Sequence, residues 1–291
     1  MDNITSAEFD SALDQRLEGT LLKWSAGRPL SGVSFLGGGD YSNSTMEGVI
    51  FQNVDFSGGD FRGSNFSGAK FLSCEMRRAN MADCNLEGST FRACDLSDAC
   101  LSGANLRSTL LIRCDLSGAD VSADAFNAQF RLCSFYNGRG FASFFGANLM
   151  QTTFQHCNLS CADLTCTDMY GATLHSCDFA SADFGRANMA GTSLTGSTFQ
   201  DATFGMTRMA AMDMRGLRFD GAFFVRTILQ DCDLSGASFS GANMAGTRFY
   251  DCNLDRILPE GSIGWGETQI DRESHRTLGD IEDFDQYPCV S

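Results

Sequence analysis

The sequence contains few prolines and few histidines, three of each among 291 residues. The prolines are Pro29, Pro259 and Pro288, so residues 30–258 contain none. Proline cannot donate a backbone hydrogen bond, and its absence from this long stretch permits an unbroken ladder of stacked strands. No apolar run is long enough to cross a membrane, and the N-terminal residues lack the apolar core of a signal peptide. We therefore expect a cytosolic protein with no membrane partner.

Motifs that carry catalysis are also missing. The sequence has no P-loop, no nucleophile elbow and no HExxH zinc motif, and no Lys-Ser/Thr pair follows the glycines at 37–39. Aspartates are abundant, but no pair is distinguished as an acid and a base by its surroundings. The sequence therefore predicts a protein that is not an enzyme and that binds no cofactor.

What the sequence has instead is a large apolar residue at every fifth position. From Tyr41 to Phe126 there are 18 such positions in unbroken step, and from Phe144 to Leu254 there are 23 more. All of these centres are Leu, Met, Phe, Tyr or Val, in a chain of which 43% is hydrophobic. A helix needs apolar spacings of three and four, and a half-buried strand alternates with period two. A fixed period of five is therefore typical of a repeat architecture.

The residues around each centre are equally regular. The position two before the centre is small, the position between them is commonly Asp or Asn, and Gly is frequent two after the centre. Examples are Ala79-Asn80-Met81 and Ala187-Asn188-Met189. This unit, A-(D/N)-(L/F/M)-x-G, resembles the pentapeptide-repeat family over residues 30–254. The resemblance implies an all-β fold, a right-handed quadrilateral parallel β-helix in which four repeats close one coil.

The sequence divides into three regions. Residues 1–28 contain a capping box and an apolar stripe, which predict an amphipathic helix that covers the first coil. Residues 29–254 form the repeats, and residues 255–291 are expected to form a C-terminal cap with an acidic tail. The resemblance to gyrase-binding members of the family implies that two copies join through this C-terminal cap as a homodimer.

The step of five is interrupted over residues 127–143. The centres there are expected at Phe126, Phe130 and Phe135, then near residues 139–140, and then at Phe144, which would make one coil of 18 residues. The interruption is either a tightened corner or a partner-binding kink around residues 136–139, and the sequence leaves both readings open.

Most of the cysteines fit the repeat. Nine of the 13 occupy the small inward position, where a thiol serves as a slightly larger alanine, so we expect reduced thiols. A metal site is not expected, because His156, Cys161 and Cys166 occupy successive corners and point away from one another. The nine inward cysteines are Cys74, Cys84, Cys94, Cys114, Cys133, Cys157, Cys177, Cys232 and Cys252.

The repeat assigns each outward residue to a face, and one face is acidic. The chain has a formal net charge of −15, which disfavours direct binding of nucleic acid. A row of carboxylates is either a solvated face or a strip that imitates nucleic-acid phosphates. The expected strip consists of Asp55, Glu75, Asp95 and Asp115, followed by Asp213 and Asp233.

A second face is apolar and basic at positions that should be polar. Such a face is typical of a protein interface, although the N-terminal helix or a tail could equally cover part of it. Its residues are Ile50, Leu72, Arg92, Leu110, Ile112, Arg131, Met150, Tyr170, Ile228 and Tyr250.

These features predict a non-catalytic interaction protein. The more specific hypothesis is a DNA mimic that binds a type II topoisomerase such as DNA gyrase, as the resistance members of the family do. The alternative is a scaffold or secreted effector that holds a cellular or host protein on the apolar-basic face. Two features weaken the first hypothesis, since the chain is long for that subgroup and shows no extended loop.

Overall fold

The computed structural model describes residues 30–35, 39–136, 138 and 140–264, together with the backbone of 269–271. The described residues contain no helix, and therefore none that could cross a membrane. The helix predicted within residues 1–28 and the acidic part of the C-terminal tail lie outside the described residues. The chain forms two compact units, Met1–Ser143 and Phe144–Ser291.

The described part of the first unit is a parallel β-solenoid of four-sided coils. One side of each coil carries a short strand that pairs in parallel with the strand of the next coil, as Phe51 does with Phe71. The other sides stack through single parallel bridges, such as Asp55 with Glu75, so equivalent positions lie 20 residues apart. The strands are β1 Leu30–Ser31, β2 Ile50–Gln52, β3 Lys70–Leu72, β4 Thr90–Arg92, β5 Leu110–Ile112 and β6 Gln129–Arg131.

The second unit repeats this architecture. Parallel pairing continues past Leu254, because Leu258 pairs with Ser238, Ile263 pairs with Asn243, and β12 pairs with β11. The strands are β7 Thr153–Gln155, β8 Thr173–His175, β9 Arg208–Ala210, β10 Ile228–Gln230, β11 Arg248–Tyr250 and β12 Gln269–Asp271. The expected all-β, four-sided parallel β-helix is therefore confirmed for the described residues.

The core of each unit is a stack of the large centres. Phe71 is fully buried, and its ring stacks on Phe51 at 5.0 Å and on Phe91 at 4.5 Å between centroids. The second unit has a similar stack, with Phe184 and Phe204 at 5.0 Å and Phe204 and Phe224 at 4.8 Å. The period of five therefore reflects side chains that point inward once per side of the coil.

The small inward position holds hydroxyls and thiols as well as alanine. Several of these groups donate to a carbonyl of the preceding coil: Thr109 Oγ1 donates to Leu86 O at 3.0 Å, and Cys84 Sγ to Phe61 O at 3.0 Å. Burial raises the pKa of the Cys84 thiol to about 12, which makes this sulfur a poor nucleophile. Eleven cysteines are free thiols, but the expectation of reduced thiols is wrong for Cys166, which is disulfide-bonded.

The centre predicted at Phe126 is wrong by one residue. Leu106 donates its backbone N–H to Asp124 O, which makes Ala125 the inward residue, and Ala125 is 1% exposed. Phe126 is displaced to the corner, where the Arg107 guanidinium lies 5.5 Å from its ring centroid. Backbone pairing between coils therefore decides which residue faces inward here, although the larger side chain of Phe126 would favour the interior.

The expected centre near residues 139–140 and the 18-residue coil are also wrong. Ser143 pairs with Asp120, 23 residues earlier, because extra chain is inserted into the coil between Tyr136 and Phe141. Tyr136 and Phe141 form an antiparallel bridge at the base of this excursion, and Phe141 is 54% exposed. The first unit therefore carries a short hairpin between Tyr136 and Phe141, which the step of five did not predict.

Candidate interaction surfaces

The outward Asp or Asn before each centre closes the corner that follows. Its Oδ1 accepts the backbone N–H of the second residue after it, as Asp95 does from Ser97 and Asn65 does from Ser67, both at 3.0 Å. This Asx turn stabilises a corner in which the second residue after the centre is left-handed, for example Asp98 at φ 57° in the corner that Asp95 closes. The sequence analysis missed this role, although the preference for Asp and Asn over Glu and Gln could have revealed it.

Four of the predicted strip residues lie in one register on the first unit. Asp55, Glu75, Asp95 and Asp115 each pair with the next through a parallel bridge, and a serine pairs with the residue at each end. Their backbones are separated by the strand spacing of about 4.8 Å. We call these four residues the acidic strip.

The opposite side of the same coils offers a neutral comparison. Asn65, Asn85 and Asn105 occupy the same position in the repeat and stack in the same way. Asn105 Nδ2 donates to Asn85 Oδ1 at 3.2 Å, a bond that two carboxylates could not make. Because Asn closes the corner as well as Asp does, the turn does not explain why the acidic strip is charged.

One arginine partly neutralises the acidic strip. Arg77 Nε lies 2.5 Å from Asp95 Oδ2 on the exposed surface. Burial raises the pKa of the Asp95 carboxyl, but hydrogen bonds from the Ser97 hydroxyl and N–H and from Arg77 outweigh it, so the pKa falls below its usual range. Asp95 therefore stays ionised, and its stabilising contacts are lost only as the pH drops through this lowered pKa.

The remaining two strip residues form a separate pair on the second unit. Asp213 pairs with Asp233, which pairs with Asn253. Arg215 lies 2.6 Å from Asp213 and 3.9 Å from Asp233. The hydrogen bond from Arg215 lowers the pKa of the Asp213 carboxyl. Each acidic row thus contains one arginine at the corner that follows it.

A groove runs along the corner beside the acidic strip. Its volume is about 780 Å³, and Gly140 of the hairpin lies at one end of it. A Cβ on Gly140 would lie 3.2 Å from Gly118 Cα, so the hairpin packs backbone against backbone there. Side chains of both charges line the groove, together with serine hydroxyls. The charged residues are Arg77, Arg78, Asp95, Asp98 and Asp115, and the serines are Ser57, Ser97 and Ser117.

The first-unit part of the apolar-basic face lies on β2–β6. The last residues of β3, β4, β5 and β6 pair with one another from strand to strand and form one column of this face. They are Leu72, Arg92, Ile112 and Arg131, so apolar and cationic side chains alternate along the column. The apolar members are half-buried and the arginines are exposed. The other column contributes the half-buried residues Ile50 and Leu110.

The second-unit residues predicted for this face do not share one environment. Tyr170 is 51% exposed and Met150 is half-buried. Ile228 and Tyr250, on β10 and β11, are only 3% and 8% exposed although their positions point outward. These two side chains are therefore not open to a partner, and the sequence contained no local sign of their burial.

Metal-binding geometry is absent from the described residues, where no group of three His, Cys, Asp or Glu side chains could hold an ion. The rings of His156 and His175 meet edge to face, with centroids 5.6 Å apart.

Family models for pentapeptide repeats match both units of the chain. The model described as a pentapeptide repeat region matches residues 44–121. The model described as pentapeptide repeats (8 copies) matches residues 142–179, 177–216 and 218–256. No curated protein matches the chain.

Solved structures with similar repeats include HetL, described as a pentapeptide repeat protein involved in heterocyst differentiation regulation from Nostoc sp. strain PCC 7120. It is 16% identical, with a TM-score of 0.43 over 91% of this chain and 99% of that chain. Another is QnrB1, described as a plasmid-mediated fluoroquinolone resistance protein. It is 20% identical, with a TM-score of 0.31 over 81% of this chain and 90% of that chain.

Proposed function

Because the chain belongs to the pentapeptide-repeat family, we propose that it is a non-catalytic β-helix that binds a protein. More specifically, its acidic strip occupies a cationic DNA-binding groove of a type II topoisomerase such as DNA gyrase. Pentapeptide-repeat proteins are generally structural and binding proteins. The QnrB1 protein, described as conferring fluoroquinolone resistance, has this repeat.

The observation that carries this proposal is the uniform charge of the acidic strip. Asp55, Glu75, Asp95 and Asp115 are all acidic, whereas the equivalent row on the opposite side is Asn65, Asn85 and Asn105. Like charges stacked at about 4.8 Å repel one another, so the strip costs stability that asparagine would not. A cationic groove on a partner would compensate that repulsion.

The acidic strip carries fewer charges per unit length than a strand of DNA. One DNA strand carries a phosphate about every 3.4 Å along its axis, against one carboxylate about every 4.8 Å here. Arg77 reduces the net charge further. The association should therefore be driven by charge and weaken steeply with added salt, without reproducing every contact of DNA.

Neutralising the acidic strip is the direct test. Asp55→Asn, Glu75→Gln, Asp95→Asn and Asp115→Asn together should raise the concentration that affects gyrase supercoiling by about tenfold, at roughly 0.3–0.5 kcal/mol for each charge. The three asparagines retain the Asx turns, so folding should be preserved. Supercoiling assays and titration of labelled protein with gyrase would measure the effect.

The matched control removes four carboxylates from the second unit. Asp163, Asp168, Asp178 and Asp183 each bond the N–H two residues on, so their Asn variants also retain the corners. We expect this variant to act like the unmodified protein. The topoisomerase role is excluded if the unmodified protein leaves gyrase unaffected, and the role of the strip is excluded if both variants lose activity equally.

The alternating column Leu72, Arg92, Ile112 and Arg131 favours a second candidate function, a scaffold that holds a protein on this face. Leu110→Ser with Ile112→Ser should abolish capture of such a partner without affecting gyrase. The partner would be identified as a protein that the unmodified chain captures by affinity and that the double variant does not. Capture that is unchanged by the double substitution removes this face from consideration.

A homodimer through the C-terminal region also remains a prediction. Leu258 and Ile263, in the last described coils, are 57% and 66% exposed. They are the apolar side chains that such a contact would bury.

A further inference from the structure

Three exposed arginines lie close together on the first unit and form no ion pair. Arg92 and Arg131 occupy the outward ends of β4 and β6, on either side of Ile112. Arg113 lies at the corner that follows Ile112, and its backbone N–H donates to Arg131 O at 2.9 Å. No carboxylate of the described residues lies within 4.0 Å of the side-chain nitrogens of these three exposed arginines. We call them the arginine triad.

The lack of a carboxylate beside the triad is a local departure in an acidic protein. The chain contains 36 acidic and 21 basic residues, and Arg62, Arg107 and Arg215 each place a nitrogen within 2.7 Å of an aspartate. On each of β2–β6, three positions point outward: the residue before the buried centre, the residue after it and the corner residue that follows. These positions include Lys70 and the triad, but no Asp or Glu. This face therefore carries positive charge that the chain does not compensate.

The spacing of the coils allows the three guanidinium groups to bind one anion. The Cα atoms of Arg92 and Arg131 are two strand spacings apart, about 9.6 Å. Half of that distance is shorter than an extended arginine side chain, so the two guanidinium groups can meet above Ile112. Arg113 lies at the same level, one residue further along the chain. Each backbone is bonded to the next coil, so only the side chains need to rotate.

A phosphoryl group fits this arrangement of charges. It carries about −1.5 to −2 charges at neutral pH and presents three acceptor oxygens, which guanidinium groups bind in pairs. A long polyanion is disfavoured, because the acidic strip lies on the next side of the coil, with Asp115 only two residues after Arg113. Nucleic acid or an anionic membrane would bring further charges within the roughly 8 Å over which carboxylates act at physiological ionic strength.

Apolar side chains around the triad indicate that the phosphoryl group belongs to a polypeptide. Leu72, Leu110 and Ile112 are half-buried at outward positions. Leu132, at the corner after Arg131, is 50% exposed. Free phosphate would leave these side chains in water, whereas a polypeptide segment would cover them with its own apolar residues.

We propose that the arginine triad binds a phosphorylated Ser, Thr or Tyr side chain of a partner protein. Flanking residues of the partner segment lie on Leu72, Ile112 and Leu132. The inference rests on the second candidate function, a scaffold, and names the chemical group by which the partner is held. Phosphorylation of the partner therefore controls the association, while this chain itself is unchanged.

Retention of synthetic peptides by the full chain tests the site. The probe is a pool of short degenerate peptides with a fixed phosphoserine, phosphothreonine or phosphotyrosine at the centre. The reference pool carries the same residues without phosphate. Immobilised protein should retain the phosphopeptides at least about tenfold more strongly than the reference pool. Equal retention of the two pools overturns the proposal.

Neutralising the triad should abolish this preference. Arg92→Gln, Arg113→Gln and Arg131→Gln together should weaken binding of the most enriched phosphopeptide at least about tenfold, to the level of its unphosphorylated form. Fluorescence anisotropy with the labelled peptide would measure both affinities. Circular dichroism should show an unchanged fold, because the substituted side chains are exposed and unpaired. Unchanged affinity in the folded variant contradicts the assignment.

The matched control makes the same change in net charge at arginines that bind aspartates. It consists of Arg62→Gln, Arg107→Gln and Arg215→Gln. We expect this variant to bind the phosphopeptide as the unmodified protein does. An equal loss of affinity in both triple variants would show that only net charge matters, and the site would be excluded.

Two further measurements distinguish the phosphoryl group from the scaffold function. Inorganic phosphate should displace the peptide only at concentrations far above the Kd of the peptide, and equal affinity for phosphate alone would show a site for the free anion. The combination Leu110→Ser with Ile112→Ser should also weaken peptide binding. If that variant loses binding while the triple arginine variant does not, the face still binds a protein and the phosphoryl group is excluded.

Discussion

Phe71→Ala is expected to lower the free energy of unfolding by about 3–5 kcal/mol. The Phe71 side chain is fully buried, between Phe51 and Phe91 at 5.0 and 4.5 Å, and it also meets Phe66 at 5.6 Å. Truncation removes the transfer free energy of the ring and leaves a cavity that the rigid coil cannot close. Each backbone in the wall is bonded to the coils on both sides, so the wall cannot move inward.

Guanidinium unfolding followed by circular dichroism would measure this loss as a lower midpoint. Phe223→Ala is the matched control, because Phe223 occupies an outward position and is 46% exposed. We expect a change within about 0.5 kcal/mol for that substitution. A similar loss from both variants would contradict the assignment of inward and outward positions.

Gly221→Ala is expected to be more damaging than a corner substitution that meets open space. Gly221 has φ +72°, and an added Cβ would overlap the Asp201 Oδ1 of the preceding coil. Alanine in the left-handed region costs roughly 1–2 kcal/mol. The Asp201 carboxylate, at the end of an exposed side chain, must also rotate out of the space above the glycine, and we expect a total loss of about 1.5–3 kcal/mol from these two effects.

A comparison of two corners separates the effects. Gly216 has φ +64° with no atom within 4 Å of an added Cβ, so Gly216→Ala should show the backbone cost alone. Combining Gly221→Ala with Asp201→Ala removes the obstructing carboxylate without introducing a glycine at the left-handed Asp201, and should recover the difference relative to Asp201→Ala alone. Equal losses at Gly216 and Gly221 in thermal unfolding, with no recovery in the double variant, would show that the carboxylate does not matter.

The period of five predicted the fold because each repeat is one side of the coil. Every large residue at a regular step, from Tyr41 to Val121 and from Phe144 to Phe249, is buried. The period failed at Phe126 because a count of residues cannot detect a side that is one residue shorter. Ala125 faces inward there because Asp124 pairs with the backbone of Leu106, a contact with a residue 18 positions earlier.

The candidate surfaces were predictable to different degrees. The acidic strip of the first unit follows from the repeat, because residues 20 apart must stack when four five-residue sides close a coil. The Asx turns, the ion pair between Arg77 and Asp95, and the hairpin between Tyr136 and Phe141 depend on side-chain geometry and on chain that leaves the repeat. No periodic rule contains that information.

The sequence by itself determined the parallel β-solenoid, the inward centres and the charge of each outward row. These are local properties, since a side chain five residues from the next has one orientation in every coil. The tertiary structure decided which rows are accessible. Ile50 and Ile228 have the same residue type and the same place in the repeat, yet Ile50 is half-buried and Ile228 is buried. Accessibility depends on what packs against a face from elsewhere in the chain, and the repeat cannot encode that.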